Sequence, residues 1–475
     1  MNLSHRAYLA RAPLRSGPSL PTISNITSSY ARLAADIRFD NLPSEVRNKT
    51  KRCLIDFLAV ALGGYHTEEG KRAIASIKKL GGHGPCTIIG DGLQTSPPLA
   101  AFANGVLGKE LDMDDGHRLG GSHIAAPVMP AALAAAELNR VAGRDLLAGI
   151  VAGYDVHARV GQAIDPSHEN RGFNPVGTCG TLGAAVAASR ILGLSEEKIL
   201  DAIGIAANCA SGQLQFCFDT DSNTRELVAG YAAMNGLFAA ILARDGFGGP
   251  SQAIEGDWGF LRAMADEVNE SILIEGLGSQ FKIVEVHFKP FAACRHVHPA
   301  ATALLDLLKK RPLKPQDVNR ITIKTYGVAT EPFRVNSDPK DKHAAIYSLP
   351  YAVSVALLDH TLPMERFTNE AVNDPAVRSL MKKVTVVEDR EFSESYPAKW
   401  PCQVIIETTM GETLSSRVDF PKGEPENPIT DDELGFKFEA VATQVMPKEK
   451  ISAITKSVLS LEERETSSLM RLLVA

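Results

Sequence analysis

The sequence predicts a mostly α fold: a large all-helical domain made from the N-terminal half and the C-terminal tail, with a smaller α+β lid domain inserted between them. Two observations carry this expectation. From Ile26 to about Gly248, and again over 431–445 and 454–473, apolar residues recur at the three-and-four spacing of helices. Between these regions, Asn319-Arg-Ile-Thr-Ile-Lys-Thr-Tyr, Lys383-Val-Thr-Val-Val-Glu and Cys402-Gln-Val-Ile-Ile-Glu-Thr-Thr alternate and are rich in β-branched residues, as half-buried strands are. The expected divisions are a disordered or targeting tail at 1–21, the helical domain at 22–282, the α+β domain at 283–415 and the return of the helical domain at 416–475.

Taken in order, the first helix with clear ends follows Pro43, and its apolar residues Val46, Cys53, Leu54, Phe57, Leu58 and Val60 continue until Gly63-Gly64. Helical segments are expected at 98–109, 127–139, 145–164, 181–194, 197–210 and 224–245. Several begin after Ser, Thr, Asp or Pro and stop at Gly, as in Ser195-Glu-Glu-Lys, which supplies capping oxygens at the start and a left-handed residue at the end. Runs such as Ala131 to Ala136 and Gly183 to Ser189 have small side chains, so their helix axes can approach closely in a tight core. Within the α+β domain, helices are expected at 299–309 and 344–359.

Composition narrows the function. A 44% hydrophobic and 22% charged chain is that of a globular protein with a large core. A net charge of -6 and a pI near 6.1 argue against a nucleic-acid or anionic-membrane partner, so cations for an anionic ligand must be local. No apolar run is expected to reach the roughly 18 to 20 residues that span a bilayer. Seven scattered cysteines, Cys53, Cys86, Cys179, Cys209, Cys217, Cys294 and Cys402, lack C-x-x-C spacing and give no metal signature. The first residues carry Arg6, Arg11 and Arg15, with no acid before Asp36. That composition suits either a mitochondrial transit peptide or a plain tail, and leaves a cytoplasmic or mitochondrial location open.

The chemistry concentrates in Glu110-Leu-Asp-Met-Asp-Asp-Gly-His-Arg-Leu-Gly-Gly-Ser-His123, a glycine-broken segment between two alanine-rich helices. It brings Asp112, Asp114, Asp115, His117 and His123 together. A histidine beside carboxylates is a tunable acid or base near neutral pH, although His123 at a helix start also reads as a simple cap. The acids fail the calcium-loop pattern, because Asp114 and Asp115 are adjacent and no Glu follows where one is needed. Read as D-x-D-D they match a terpene-cyclase acid motif, but 6% aromatic residues supply that cavity poorly. A second broken loop, Arg171-Gly-Phe-Asn174-Pro-Val-Gly, enters a helix whose N–H groups suit a carboxylate, with Arg171 as counter-charge. Arg225 at a helix start and Lys289 in Lys289-Pro-Phe-Ala-Ala-Cys-Arg-His-Val-His298 complete a cationic set at element ends.

These residues resemble those of the MmgE/PrpD family, over nearly the whole chain from about residue 26. The resemblance rests on Leu111-Asp-Met-Asp-Asp with His123, Gly153-Tyr-Asp-Val with Arg159, and Gly172-Phe-Asn-Pro with Gly180-Thr-Leu-Gly-Ala-Ala185. It rests also on Gly230-Tyr-Ala-Ala-Met-Asn-Gly236 and Lys289 to Pro299. It implies a homodimer without metal or organic cofactor, an active site between the domains, and a small polycarboxylate substrate that is dehydrated, decarboxylated or epimerised. It also implies active-site positions at Asp112, His123 and Lys289. Asn174 stands where decarboxylase-like members have His, Arg225 where they have Lys, and Cys294 where the animal decarboxylase has a further His.

The expected roles are His123 as acid or base, positioned by Asp112, with His298 or His296 as the second proton-transfer group. Arg171, Arg225 and Lys289 are expected to clamp carboxylates, with Asn174 and His117 beside the substrate. Dehydration of a citrate-like hydroxy acid is then favoured, since three such cations would hold a departing carboxylate in place. Decarboxylation of cis-aconitate and epimerisation of an amino-dicarboxylate are the alternatives, and a binding protein without catalysis is a further one.

Overall fold

A computed structural model describes residues 25–218, 222 and 224–475; the expected tail at 1–21 lies outside the described residues. The N-terminal helices are α1 (Ile26–Asp36), α2 (Ser44–His66), α3 (Glu68–Leu80), α4 (Pro97–Lys109) and α5 (Ala125–Asn139). They continue as α6 (Gly143–Ile164), α7 (Ser167–Asn170), α8 (Pro175–Ile191), α9 (Glu196–Cys209) and α10 (Thr224–Arg244). Two short turns, α11 (Phe260–Met264) and α12 (Ser271–Ile274), follow. The cap anticipated at Ser195 forms, its Oγ accepting from Lys198 N; α8 begins six residues before the expected 181, with Asn174 Oδ1 accepting from Val176 N as its cap.

The density of small residues has a direct structural use. α8 sits centrally, packed on α5, α6 and α10, and α10 packs further on α4 and α9. At the α6–α8 crossing, a methyl on Gly153 would stand 2.6 Å from the Gly183 carbonyl oxygen, and one on Gly183 would stand 2.8 Å from that of Gly153. No larger residue permits backbones this close.

On length and composition α10 does reach the range of a membrane-spanning helix, contrary to the expectation that no run would. Leu227, Val228, Met234, Phe238, Ile241 and Leu242 join its alanines into one apolar stretch that Arg225 and Glu226 precede. Its packing among α4, α5, α8 and α9 is that of a core helix.

The α+β part comprises α13 (His298–Lys310), α14 (Lys342–Tyr347), α15 (Leu349–Asp359), α16 (Pro375–Met381) and α17 (Arg390–Ser395) around a four-stranded sheet. Earlier in the chain are two two-residue pairs, β1 (Cys86–Thr87) with β2 (Gln94–Thr95), and β3 (Gly116–His117) with β4 (Val286–His287). The sheet contains β5 (Val318–Thr325), β6 (Val384–Glu388), β7 (Cys402–Thr408) and β8 (Thr413–Val418) in the order β6-β5-β7-β8. β5 and β6 are parallel and the other pairs antiparallel, and the inward residues Ile321, Ile323, Val404 and Ile406 are buried. Helix α13 packs on β7 and β8. The molecule is thus mostly α with a small sheet domain. β8 runs past 415, and its Ser-rich sequence carries no strand signal of its own; pairing with β7 selects it.

The chain ends in α18 (Asp431–Ala442), α19 (Lys448–Leu459) and α20 (Thr466–Met470), and both α18 and α19 pack on α2. A buried ion pair fastens this return: Lys437 Nζ lies 2.5 Å from Asp56 Oδ1 on α2 and donates to the Met113 carbonyl at 2.7 Å. Burial pushes the Asp56 carboxyl up, and Lys437 opposes that shift. Lys437→Ala would leave Asp56 without its partner in the core, so unfolding by denaturant should show a loss of about 3–5 kcal/mol. The double variant Asp56→Leu, Lys437→Met should recover much of it.

Candidate active site

The segment from Lys109 to His123 leaves the end of α4, and residues from three other regions close on it. Asp112 adopts a left-handed backbone, φ 51°, unusual for a residue with a side chain and sustained here by its contacts. Its Oδ1 lies 2.8 Å from Arg225 Nη1 on α10, 3.1 Å from Lys289 Nζ beyond β4, and 3.4 Å from Lys109 Nζ. Lys289 Nζ also donates to the Asp112 carbonyl at 3.0 Å, and Lys109 Nζ donates to Asp114 at 2.9 Å. Burial would raise the Asp112 carboxyl, but Lys289, Lys109 and Arg225 together hold it well below the usual range.

Arg225 is shared further: Nη2 is 2.6 Å from Glu226 Oε1 and donates to the Glu110 carbonyl. Lys109, Arg225 and Lys289 therefore face Asp112, Asp114 and Glu226, three cations against three carboxylates. Glu110, buried beside Glu226, is pushed up to about 8.

His123 Nδ1 is 2.7 Å from the Asp115 carbonyl oxygen, which can only accept. The ring is thereby held as the Nδ1–H tautomer, with the Nε2 lone pair uncommitted. Burial drives its pKa down to about 3 against the opposing pull of Asp114, so the imidazole is neutral at ordinary pH. The helix cap is Asp115, not His123: its Oδ1 accepts from Ala125 N at 2.8 Å and its Oδ2 from the Tyr154 hydroxyl at 2.8 Å.

A cavity of about 160 Å³ gathers much of the expected set. Asp112, His117, His123, Asn174, Arg225, Lys289 and His296 all line it. His117 Nε2 is 3.0 Å from Glu285 Oε2, and β3–β4 pairing fixes its place. His296 Nδ1 is 2.7 Å from the Tyr326 hydroxyl, and its ring stacks on Trp400 at 4.5 Å.

Two expected residues are placed elsewhere. His298 is fully buried behind the wall, its nitrogens 3.1 Å from Arg295 Nη1 and 3.1 Å from the Ala293 carbonyl, because it opens α13 with its ring turned inward. Arg171 lies on the surface, 3.8 Å from Asp266 and over the Phe173 ring, because the turn at Gly172 sends Phe173 inward and leaves Arg171 outside. Sequence reading missed Lys109, His287, Arg295, Arg334 and Tyr347, which also line the cavity. Only Lys109 had a local signal, its spacing of three and five from Asp112 and Asp114.

A larger cavity of about 640 Å³ lies between α13 and α18, lined by Phe291, Leu305, Met364 and Phe436 among others. The buried histidine–carboxylate–cation cluster faces the smaller one, which makes that the candidate site. Among the described residues no group of three or more His, Cys, Asp or Glu is placed to hold a metal ion.

The neutral His123 has a measurable consequence. Its pKa is lower in the folded chain than in the unfolded one, so unfolding takes up a proton between about pH 3 and pH 6.5. Its contribution to stability is fully present above that pH and declines as pH falls towards about 3. Nitrogen-15 spectra of the unliganded protein at pH 6 should show His123 neutral with Nδ1 protonated. An imidazolium signal would contradict the assignment.

Comparison with known proteins places the cluster in context. Residues 28–272 match the MmgE/PrpD N-terminal domain and residues 291–463 the MmgE/PrpD C-terminal domain. A cis-aconitate decarboxylase-like protein of Aspergillus oryzae is 28% identical, over 94% of this chain and 97% of its own length. The cis-aconitate decarboxylase of Mus musculus is 28% identical over 94% of this chain and 93% of its own. The mitochondrial 2-methylcitrate dehydratase of Yarrowia lipolytica is 27% identical over 80% of this chain and 75% of its own. With both of the family's domains matched in order, the chain belongs to the MmgE/PrpD family.

Proposed function

We propose that the chain is a lyase that acts on a small polycarboxylate by proton transfer at carbon, and that its reaction is decarboxylation of a cis-aconitate-like substrate. The observation that carries the proton-transfer reading is His123, neutral, with Nε2 uncommitted in the cavity wall beside the Asp112 cluster. The preference for CO2 loss comes from the cations. The case for dehydration required Arg171, Arg225 and Lys289 to hold the departing carboxylate. Arg171 is on the surface, and Arg225 and Lys289 already share Asp112. A carboxylate leaving this cavity is therefore held less firmly than the residue types suggested. The relatives named as decarboxylases also match over more of this chain than those named as dehydratases.

In this reading the bond from carbon to the departing carboxylate breaks and CO2 leaves. The electron pair moves through the adjacent double bond to the far carbon. That carbon takes a proton from His123 Nε2, which was loaded from solvent when the polyanion bound. Asp114 Oδ2, 3.5 Å from His123 Nδ1, steadies the imidazolium. Asp112 keeps Lys289 and Arg225 in position, and no step calls on a metal or organic cofactor. His296, with Nδ1 fixed by Tyr326, is the second proton-transfer candidate.

Dehydration is the second reading, favoured by the same neutral His123, which as a base could take a proton from the carbon next to a carboxylate. Incubation with cis-aconitate, citrate, 2-methylcitrate and iminodisuccinate separates the readings. CO2 from cis-aconitate is expected. Water loss from a hydroxy acid without CO2 would favour the second reading, and inversion of iminodisuccinate alone would contradict both. His123→Ala should lower kcat by about 10²–10⁴-fold with the fold intact.

We also propose a homodimer. Helix α10 leaves Tyr231 and Phe238 each 48% exposed on one apolar face, the kind of surface a second copy covers. Phe238→Asp should yield monomers by light scattering; a wild-type chain that is itself monomeric at micromolar concentration would refute the proposal.

A further inference from the structure

Six cationic side chains line the cavity, and five of them are committed to buried or half-buried partners. Lys109 and Lys289 pair with Asp112 and Asp114, and Arg225 pairs with Asp112 and Glu226. Arg118 holds Glu424 and Glu426, and Arg295 holds Glu424 while donating to the Lys422 carbonyl. None of these five has its charge available without giving up an existing carboxylate.

Arg334 differs. Its Nη1 donates to the Val328 carbonyl at 2.7 Å and to Glu331, whose side chain is 46% exposed and so largely screened by water. Its Nε is buried without a hydrogen-bond partner, as is the Nε of Arg118, but only Arg334 of the six has no ion pair with a buried or half-buried carboxylate among the described residues. Apart from the thiol of Cys294, a weak acceptor, no hydrogen bond from the described residues engages the rest of the guanidinium. Nε and Nη2 form one edge of that planar group, the edge that a carboxylate takes with two parallel hydrogen bonds.

The group is also held ready. Its Cζ lies over the Phe333 ring, 4.4 Å from the centroid, and Phe333 packs edge-on against Tyr347, another residue of the cavity wall. The backbone is fixed by Leu349 N donating to the Arg334 carbonyl at 2.9 Å. A buried N–H without a partner costs stability, and that cost is recovered when a ligand supplies the acceptor. Arg334 lies between β5 and α14, in the α+β part, whereas Lys109, Asp112, His123 and Arg225 belong to the helical part.

We propose that Arg334 is the specificity-determining carboxylate clamp of this cavity, binding one carboxylate of the substrate through its Nε–Nη2 edge. This rests on the polycarboxylate reading above. It implies that the substrate carries a carboxylate beyond those at the reacting centre, presented to the α+β part. A substrate without that group loses the contact and leaves the buried Nε unpaired, so discrimination against it is built into the wall.

Calorimetric titration of the full chain with the unreactive tricarboxylate tricarballylate tests this. Glutarate, which lacks the central carboxylate, and methylsuccinate, which lacks one terminal carboxylate, serve as controls. Arg334→Gln should weaken tricarballylate binding by about 10- to 100-fold, the loss of a charged two-bond contact. Arg334→Lys should recover part of the affinity, and one of the two dicarboxylates should bind the Gln variant and the wild type alike. Glu331→Gln, which removes the surface partner but not the clamp, should bind within about twofold of wild type. The proposal fails if Arg334→Gln binds tricarballylate within twofold of wild type, if both dicarboxylates lose affinity equally with it, or if Glu331→Gln reproduces the loss, which would mark a structural role. If the wild type binds no tricarboxylate at all, the polycarboxylate reading fails before the clamp is in question.

Discussion

The arrangement depends on one buried carboxylate. Asp112 is held by Arg225 from α10, Lys289 from the segment after β4, and Lys109 from the end of α4, regions far apart in the chain. Each of those charges would be costly to bury alone, and together they are tolerated because each has a partner at hydrogen-bonding distance. The same cluster sets the left-handed backbone of Asp112, which turns the chain so that Asp114 and Asp115 reach Lys109 and the start of α5. Removing any one charge leaves the others uncompensated among buried side chains.

Charge pairing also shapes the chemistry. A cavity lined by free cations would bind a polyanion tightly, including the part of it that must depart. Here most cations are balanced internally, so attraction for the substrate is moderated and the neutral His123 is the group whose protonation state binding can change. The close helix crossings made by Gly153 and Gly183 hold the supporting helices at short range, which keeps such a cluster from relaxing apart.

Much of this was legible in the sequence. The helices followed from apolar spacing and caps, β5, β6 and β7 from alternation, and Asp112, His123, Arg225 and Lys289 from glycine-broken loops at element ends. The misses have physical reasons. β3 and β4 are two residues each and exist only because distant segments meet, and β8 borrows its conformation from β7. Arg171 resembled the other cations by position, but direction depends on the turn at Gly172, which spacing does not reveal. His298 lies two residues from His296 and yet turns into the core, since α13 begins between them. Arg334 follows no motif; its role comes from what its neighbours already bind.

The central claim is that His123 moves a proton at a substrate carbon in a cavity whose cations are held in balance by Asp112. Turnover of cis-aconitate in deuterium oxide tests it most directly. Nuclear magnetic resonance of the product should show one deuterium fixed on the carbon that received the electron pair. His123→Ala should form neither product nor label. Product formed at the wild-type rate without deuterium on carbon, or labelled product formed equally well by His123→Ala, would contradict the claim.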